Sequence, residues 1–189
     1  MKQKIQKRAV VLACAVLMCV CFLCGTASAA TLVVIDLAGI VDSAAPSVVE
    51  VFTETKQVSS WFQEYVTEGA GSGVVLSEDG YIVTNHHVID GANTIKVRLS
   101  DGQTYTAALT GTDAKTDLAV LKINASGLAT AKLADSSAVR VGDFVIAIGN
   151  PLGELGGTVT EGIISAKDRE ITIDGEAMTL LQTSAAVNP

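Results

Sequence analysis

No stretch between Ala30 and Pro189 holds a long helical period, and from Pro46 onward the chain is a series of short β-prone runs separated by turn signals. The first run is Ser47 to Thr53. The second, Gly73 to Ser77, is followed by Glu78-Asp79-Gly80 and then Tyr81 to Thr84. That pair predicts a hairpin, because Asp-Gly supplies the positive φ of a tight turn. Thr94 to Leu99 alternates polar and apolar residues, so one face should be buried. Ser100-Asp101-Gly102-Gln103 turns it back into Thr104 to Leu109, and Leu118 to Ile123 is an apolar run suited to a strand buried on both sides. Short helical turns are expected near Ile40 to Ala45, near Ser60 to Tyr65 and around His86 and His87, whereas Lys56 to Gly69 reads as an exposed loop. Strands spaced in this way predict an all-β sandwich or barrel.

A second unit is expected after Asn124-Ala125-Ser126-Gly127. It offers strand candidates at Val141 to Gly149, Thr158 to Ser165 and Ala177 to Thr183. A closed barrel needs more strands than these, so the second unit reads as partial. Val145, Ile146, Ile148, Ile163 and Ile164 are the apolar side chains expected to be left exposed by it, on open strand edges.

The N-terminus has the pattern of an export signal. Lys2 to Arg8 are basic, Ala9 to Cys24 are an apolar stretch of 16 residues, and Ala27-Ser28-Ala29 fits a small-residue cleavage site. Cleavage after Ala29 is the favoured reading. The alternative is an uncleaved membrane tether through residues 9–35, which are uncharged over 27 residues. Either way the remainder lies outside the cytoplasm. Cys14, Cys19, Cys21 and Cys24 all fall inside the apolar stretch, so the exported part has no disulfide, no thiolate metal site and no cysteine nucleophile.

Charge excludes another class. Four of the 13 basic residues precede Ala9 and all 20 acidic ones lie at or beyond Asp36, so the exported part is more acidic than the overall net of −7. Such a surface repels a phosphate backbone, and no nucleic-acid partner is expected. With 49% apolar and 17% charged residues the chain forms a core and is not disordered.

Two polar positions remain. His86 and His87 are the only histidines. Adjacent side chains on extended chain point to opposite faces, which disfavours a shared metal, and no metal or cofactor is expected. Two surface histidines are the bland alternative. Asp117 opens the run Leu118 to Ile123, where an unpaired carboxylate is costly and a histidine N–H is an obvious partner. A turn aspartate bonded to its own backbone is the other reading, and it suits Asp113 well. Histidine and aspartate on a cysteine-free β scaffold suggest nucleophilic hydrolysis, in the chain order His, Asp, Ser.

Six segments in series strengthen that reading: Gly71 to Val75, Gly80 to Val88, Asp113 to Ile123, Gly149 to Gly153, Thr158 to Ala166 and Gln182 to Pro189. Together they resemble the trypsin-like serine proteases of the HtrA/Deg family, over about Ile40 to Pro189. The resemblance implies an all-β, chymotrypsin-like double β-barrel with the active site between the barrels. It assigns the general base to His87 and the orienting carboxylate to Asp117, and leaves His86 noncatalytic. It divides the chain into a signal peptide or anchor at 1–29, a lead-in at 30–45, a first barrel at 46–126 carrying His and Asp, and a partial second barrel at 127–189, with no PDZ domain. By the same resemblance the substrates would be unfolded or misfolded exported polypeptides, and the intact family forms homotrimers.

In this family Asn-Pro is followed at once by Gly-Asn-Ser-Gly-Gly, which carries the nucleophile and the oxyanion-hole amides. The nucleophilic serine is therefore expected just after Pro189. Ser184 and Ser72 match no nucleophile motif. Residues 1–189 are read as truncated before that motif and inactive alone. The alternative is a noncatalytic peptide-binding module outside the cytoplasm.

Overall fold

The structure is a computed structural model that describes residues 35–58, 64–150, 156–173 and 176–187. The signal segment with its four cysteines, Pro151 to Gly153, and Asn188-Pro189 lie outside the described residues. The chain divides at Ile35, and the fold is that of the unit Asp36–Pro189. Among the described residues no helix is long and apolar enough to cross a membrane.

Helix α1 (Leu37–Ala44) opens the fold, capped by the Asp36 carboxylate, which accepts a hydrogen bond from the Gly39 N–H at 3.0 Å. A 3-10 turn at Ala45–Ser47 leads into six strands: β1 (Val48–Val58), β2 (Glu64–Val75), β3 (Tyr81–Thr84), β4 (Thr94–Arg98), β5 (Thr104–Asp113) and β6 (Leu118–Ile123). They close into an antiparallel barrel in the order β1-β2-β3-β6-β5-β4. Closure follows from the alternation of apolar and polar residues. Val49 and Val51 on β1, Val75 on β2, Ile82 on β3, Ile95 and Val97 on β4, and Ala119, Leu121 and Ile123 on β6 all point inward and are buried. The predicted β2–β3 hairpin is present, with Gly80 at φ +101°. An added Cβ there would also meet the Ile123 carbonyl oxygen at 2.6 Å, so glycine is required twice over.

Leu121 is fully enclosed at the barrel centre. Leu121→Ala is expected to destabilise the fold by about 2–5 kcal/mol through lost transfer energy and the cavity left behind. The urea midpoint of purified protein measures this; a shift corresponding to less than about 1 kcal/mol would mean that the barrel interior is not packed as described.

Three expectations are corrected. Of the loop expected over Lys56 to Gly69, residues 56–58 and 64–69 are strand, since β1 and β2 pair from Val48↔Val74 out to Val58↔Glu64; residues 59–63 lie outside the described residues. The hairpin extends beyond the core, so its outer half is held by backbone ladder bonds, and Tyr65 and Val66 are exposed. A strand that buries neither face shows no apolar alternation. Of the helical turn expected near Ser60 to Tyr65, residues 60–63 lie outside the described residues, and Glu64 and Tyr65 belong to β2 instead. Strand β6 is buried on one face only: Leu118 is 48% exposed and Val120 half-buried, whereas Ala119, Leu121 and Ile123 are buried.

A second sheet follows, β7 (Phe144–Gly149), β8 (Thr158–Ile173) and β9 (Glu176–Thr183), in the order β7-β8-β9. The first part of β8 pairs with β7 and the rest with β9, with register shifts around Ala166. Of the apolar side chains expected to be exposed here, Ile163 is exposed and Val145, Ile146 and Ile148 are half-buried, but Ile164 is buried. The chain after β9 folds back over this part of β8. Ser184 N–H donates to Ile163 O at 3.0 Å, and Ile163 N–H donates to Ser184 Oγ at 3.0 Å.

Candidate active site

The site is built on two neighbouring connections of the barrel. Strand β3 ends in Thr84, whose buried hydroxyl donates to Ser72 O on β2 at 2.7 Å. The chain then makes one helical turn, α2 (His86–Ile89), preceded by Asn85 in extended conformation. Ile89 anchors that turn in the core, and Val88 packs over Gly71 so closely that an added Cβ there would lie 2.6 Å from its methyl carbon. The second connection is the turn between β5 and β6. Asp113 accepts Lys115 N–H at 3.0 Å and the Thr116 hydroxyl at 2.9 Å, so it is the turn-forming aspartate. The turn delivers Asp117 in the left-handed region, at φ +53°.

The two connections meet at Asp117. Its main-chain oxygen accepts His86 N–H at 3.1 Å and the Asn85 side-chain amide at 3.1 Å. Its carboxylate accepts three more bonds: His87 N–H to Oδ1 at 2.9 Å, Asn85 Nδ2 to Oδ2 at 3.0 Å, and His87 Nδ1 to Oδ2 at 2.7 Å. An ionised carboxylate only accepts, so the proton of a neutral His87 ring sits on Nδ1, leaving Nε2 as an unprotonated base. The ring is 71% exposed and the carboxylate 29%.

Electrostatics support the charged form of the carboxylate. Partial burial pushes the Asp117 carboxyl upward, but the His87 N–H, its imidazole and the Asn85 amide outweigh that and hold it below the usual carboxylate range.

The structure brings His87 and Asp117 together across 30 residues of sequence. His86 turns elsewhere: its Nδ1 meets Thr112 Oγ1 at 2.8 Å, and that hydroxyl donates to Leu118 O at 3.1 Å. The separation of the two rings comes from a helical turn and not from extended chain. Ser72 Oγ accepts the Asn150 N–H at 2.8 Å, and Ser184 Oγ accepts the Ile163 N–H, so both hydroxyls are engaged in holding main chain. Asn85 is a residue that sequence reasoning misses. Its only signal is its place beside the histidines, and its amide bonds both the main chain and the carboxylate of Asp117. Among the described residues no group of three or more His, Cys, Asp or Glu side chains could hold a metal.

Comparison with known proteins finds a family model, curated relatives and solved structures that this chain resembles. The family model described as a trypsin-like peptidase domain matches residues 71–189. A probable periplasmic serine endoprotease, DegP-like, from Pseudomonas savastanoi pv. phaseolicola is 51% identical over 123 residues, 65% of this chain and 25% of that protein. The periplasmic serine endoprotease DegP of Escherichia coli K12 is 49% identical over 120 residues, 62% of this chain and 25% of its own length. The chain thus spans about a quarter of the length of these curated relatives. Among solved structures, the HtrA-type protease AlgW with a decapeptide superposes with a TM-score of 0.71 at 38% identity, over 82% of this chain and 53% of that one. AlgW with a tripeptide gives 0.70 at 42% identity, over 80% and 47%. A closed six-stranded barrel, a histidine held by a carboxylate beside it and these matches identify the chain as a member of the trypsin-like peptidase family, of the HtrA/Deg type.

Proposed function

We propose that these residues supply the base and the orienting carboxylate of a serine endopeptidase that degrades unfolded or misfolded proteins outside the cytoplasm. The observation that carries the reading is the 2.7 Å bond from His87 Nδ1 to Asp117 Oδ2, which leaves Nε2 free to act as a base. In the reaction, Nε2 takes the proton of a serine hydroxyl as its oxygen attacks the scissile carbonyl. Asp117 stabilises the imidazolium, which then gives the proton to the leaving amine. An extracytoplasmic location is supported by the export signal read at residues 1–29 and by relatives named as periplasmic. Peptide as the substrate class is supported by the related proteases solved with a decapeptide and a tripeptide.

The nucleophile is proposed to lie on the Gly-Asn-Ser-Gly-Gly segment that follows Asn-Pro in this family. Residues 1–189 by themselves are therefore inactive, whereas the chain continued through that segment and the rest of the catalytic domain is a protease. Casein degradation by the two polypeptides tests this. Cleavage by residues 1–189 alone would overturn the placement of the nucleophile, and a folded continued chain that cleaves nothing would overturn the peptidase reading.

A further inference from the structure

Asn85 starts the α2 turn in extended conformation, at φ −79° and ψ 146°. Asparagine is favoured at such a place because its side-chain oxygen ordinarily accepts one of the first N–H groups of the turn. Here it accepts none of them. Asp117 caps the turn instead, from the β5–β6 connection: its main-chain oxygen accepts the His86 N–H at 3.1 Å, and Oδ1 accepts the His87 N–H at 2.9 Å. The Asn85 side chain presents its NH2 group to Asp117. A residue that gives up its usual local bond answers to a second demand.

The bonds show what that demand is. Asn85 Nδ2 donates to Asp117 O at 3.1 Å and to Asp117 Oδ2 at 3.0 Å, one hydrogen for each. Turned over, the amide would set its oxygen against a carbonyl and a carboxylate at once, so its orientation is fixed. The two acceptors belong to one residue and lie on either side of its Cα–Cβ bond. An amide that holds both therefore opposes rotation about that bond. The His87 N–H alone would let the carboxylate swing about Oδ1 and carry Oδ2 away from the ring. The main chain of Asp117 needs holding as well, because it stands at φ +53°, where residues other than glycine are uncommon. The imidazole depends on this aim. Its ring is mostly exposed, so the 2.7 Å bond from Nδ1 to Oδ2, more than packing, decides which nitrogen carries the proton.

We propose that Asn85 is a positioning residue: by bridging the main-chain oxygen and the carboxylate of Asp117, its amide keeps Oδ2 aimed at His87 Nδ1 and so keeps the proton off Nε2. The inference deepens the function proposed above and rests on it. His86, one position on, has no such part, since its ring meets Thr112 Oγ1.

Proton–nitrogen NMR of the 189-residue chain with isotope-labelled histidines tests this at about pH 7.5, above the ordinary histidine value near 6.5. The spectra show which ring nitrogen carries the proton, and no nucleophile is needed. In the parent, His87 is expected to hold it on Nδ1. Asn85→Ser can still start a helical turn but is too short to bridge Asp117. In that variant the His87 Nδ1 proton is expected to exchange with water at least about fivefold faster, as for one lost hydrogen bond, and part of it to move to Nε2, with the urea midpoint little changed. The His86 ring is expected to keep its signals, a selectivity that general loosening of α2 would not give. An unchanged His87 ring in Asn85→Ser overturns the proposal. So does a change shared equally by both rings. If Asn85→Ser does not fold, Asn85→Asp, of the same shape but without an N–H to donate, takes its place in the same comparison. A parent with the His87 proton on Nε2 would strike the peptidase reading and this inference with it, whereas a variant no different from a parent protonated on Nδ1 strikes this inference alone.

Discussion

His87→Ala in the continued chain is expected to lower kcat/KM on casein by at least about 10⁴-fold while leaving the fold intact. The imidazole is 71% exposed, so its removal opens no cavity. The main-chain bond from residue 87 to Asp117 Oδ1 does not need the side chain, and Val88 and Ile89 still anchor α2. What disappears is the base: a serine hydroxyl with no acceptor for its proton is a poor nucleophile at neutral pH. His86→Ala is the informative control. Its ring bonds Thr112 and not the Asp117 carboxylate, so it is expected to keep activity within about tenfold of the parent. Equal losses in the two variants would mean that the ring at 87 has no special part. Rates with a fluorogenic peptide, read beside urea midpoints, separate chemistry from folding.

Asp117→Asn is the second large effect, about 10⁴-fold on kcat, and it works through one proton. An amide at this position can still accept the His87 N–H on the oxygen corresponding to Oδ1. The NH2 group then replaces Oδ2, where both Asn85 Nδ2 and His87 Nδ1 now donate. His87 answers by moving its own proton to Nε2, which blocks the base. Asn85 is left donor against donor. The same carboxylate sets an acid limit. Its folded pKa is depressed, so its contribution to stability is complete above the ordinary carboxylate value near 3.8 and is lost as pH falls through the lower folded value. Unfolding midpoints followed from about pH 6 to about pH 2 should therefore fall more steeply in the parent than in Asp117→Asn. Parallel curves would show that the carboxylate is not charge-stabilised in the fold.

The parts of this architecture that are legible in the sequence are those where one face meets water and the other a core. Ile95 and Val97 alternate with polar neighbours because β4 has two unlike sides to satisfy, and they are buried as that pattern requires. Alternation fails as a guide where a strand has only solvent to face, as in the outer half of the β1–β2 hairpin. It also fails where an apolar residue stands outward, as Leu118 and Val120 do on β6. The proximity of His87 and Asp117 is inferable from what a carboxylate entering an apolar strand needs, sharpened by family resemblance. The Asn150, Ser72 and Glu50 cluster is not, since Asn150 lies 78 and 100 residues from its two partners and each alone is an ordinary polar residue.

Every donor that meets Asp117 among the described residues comes from three consecutive positions, Asn85 to His87. Sliding that step of the chain by about an ångström strains all of these bonds at once; there is no halfway arrangement that keeps some at full strength. A molecule in which β3 or the β5–β6 turn is misplaced therefore loses the whole set together and not one bond at a time.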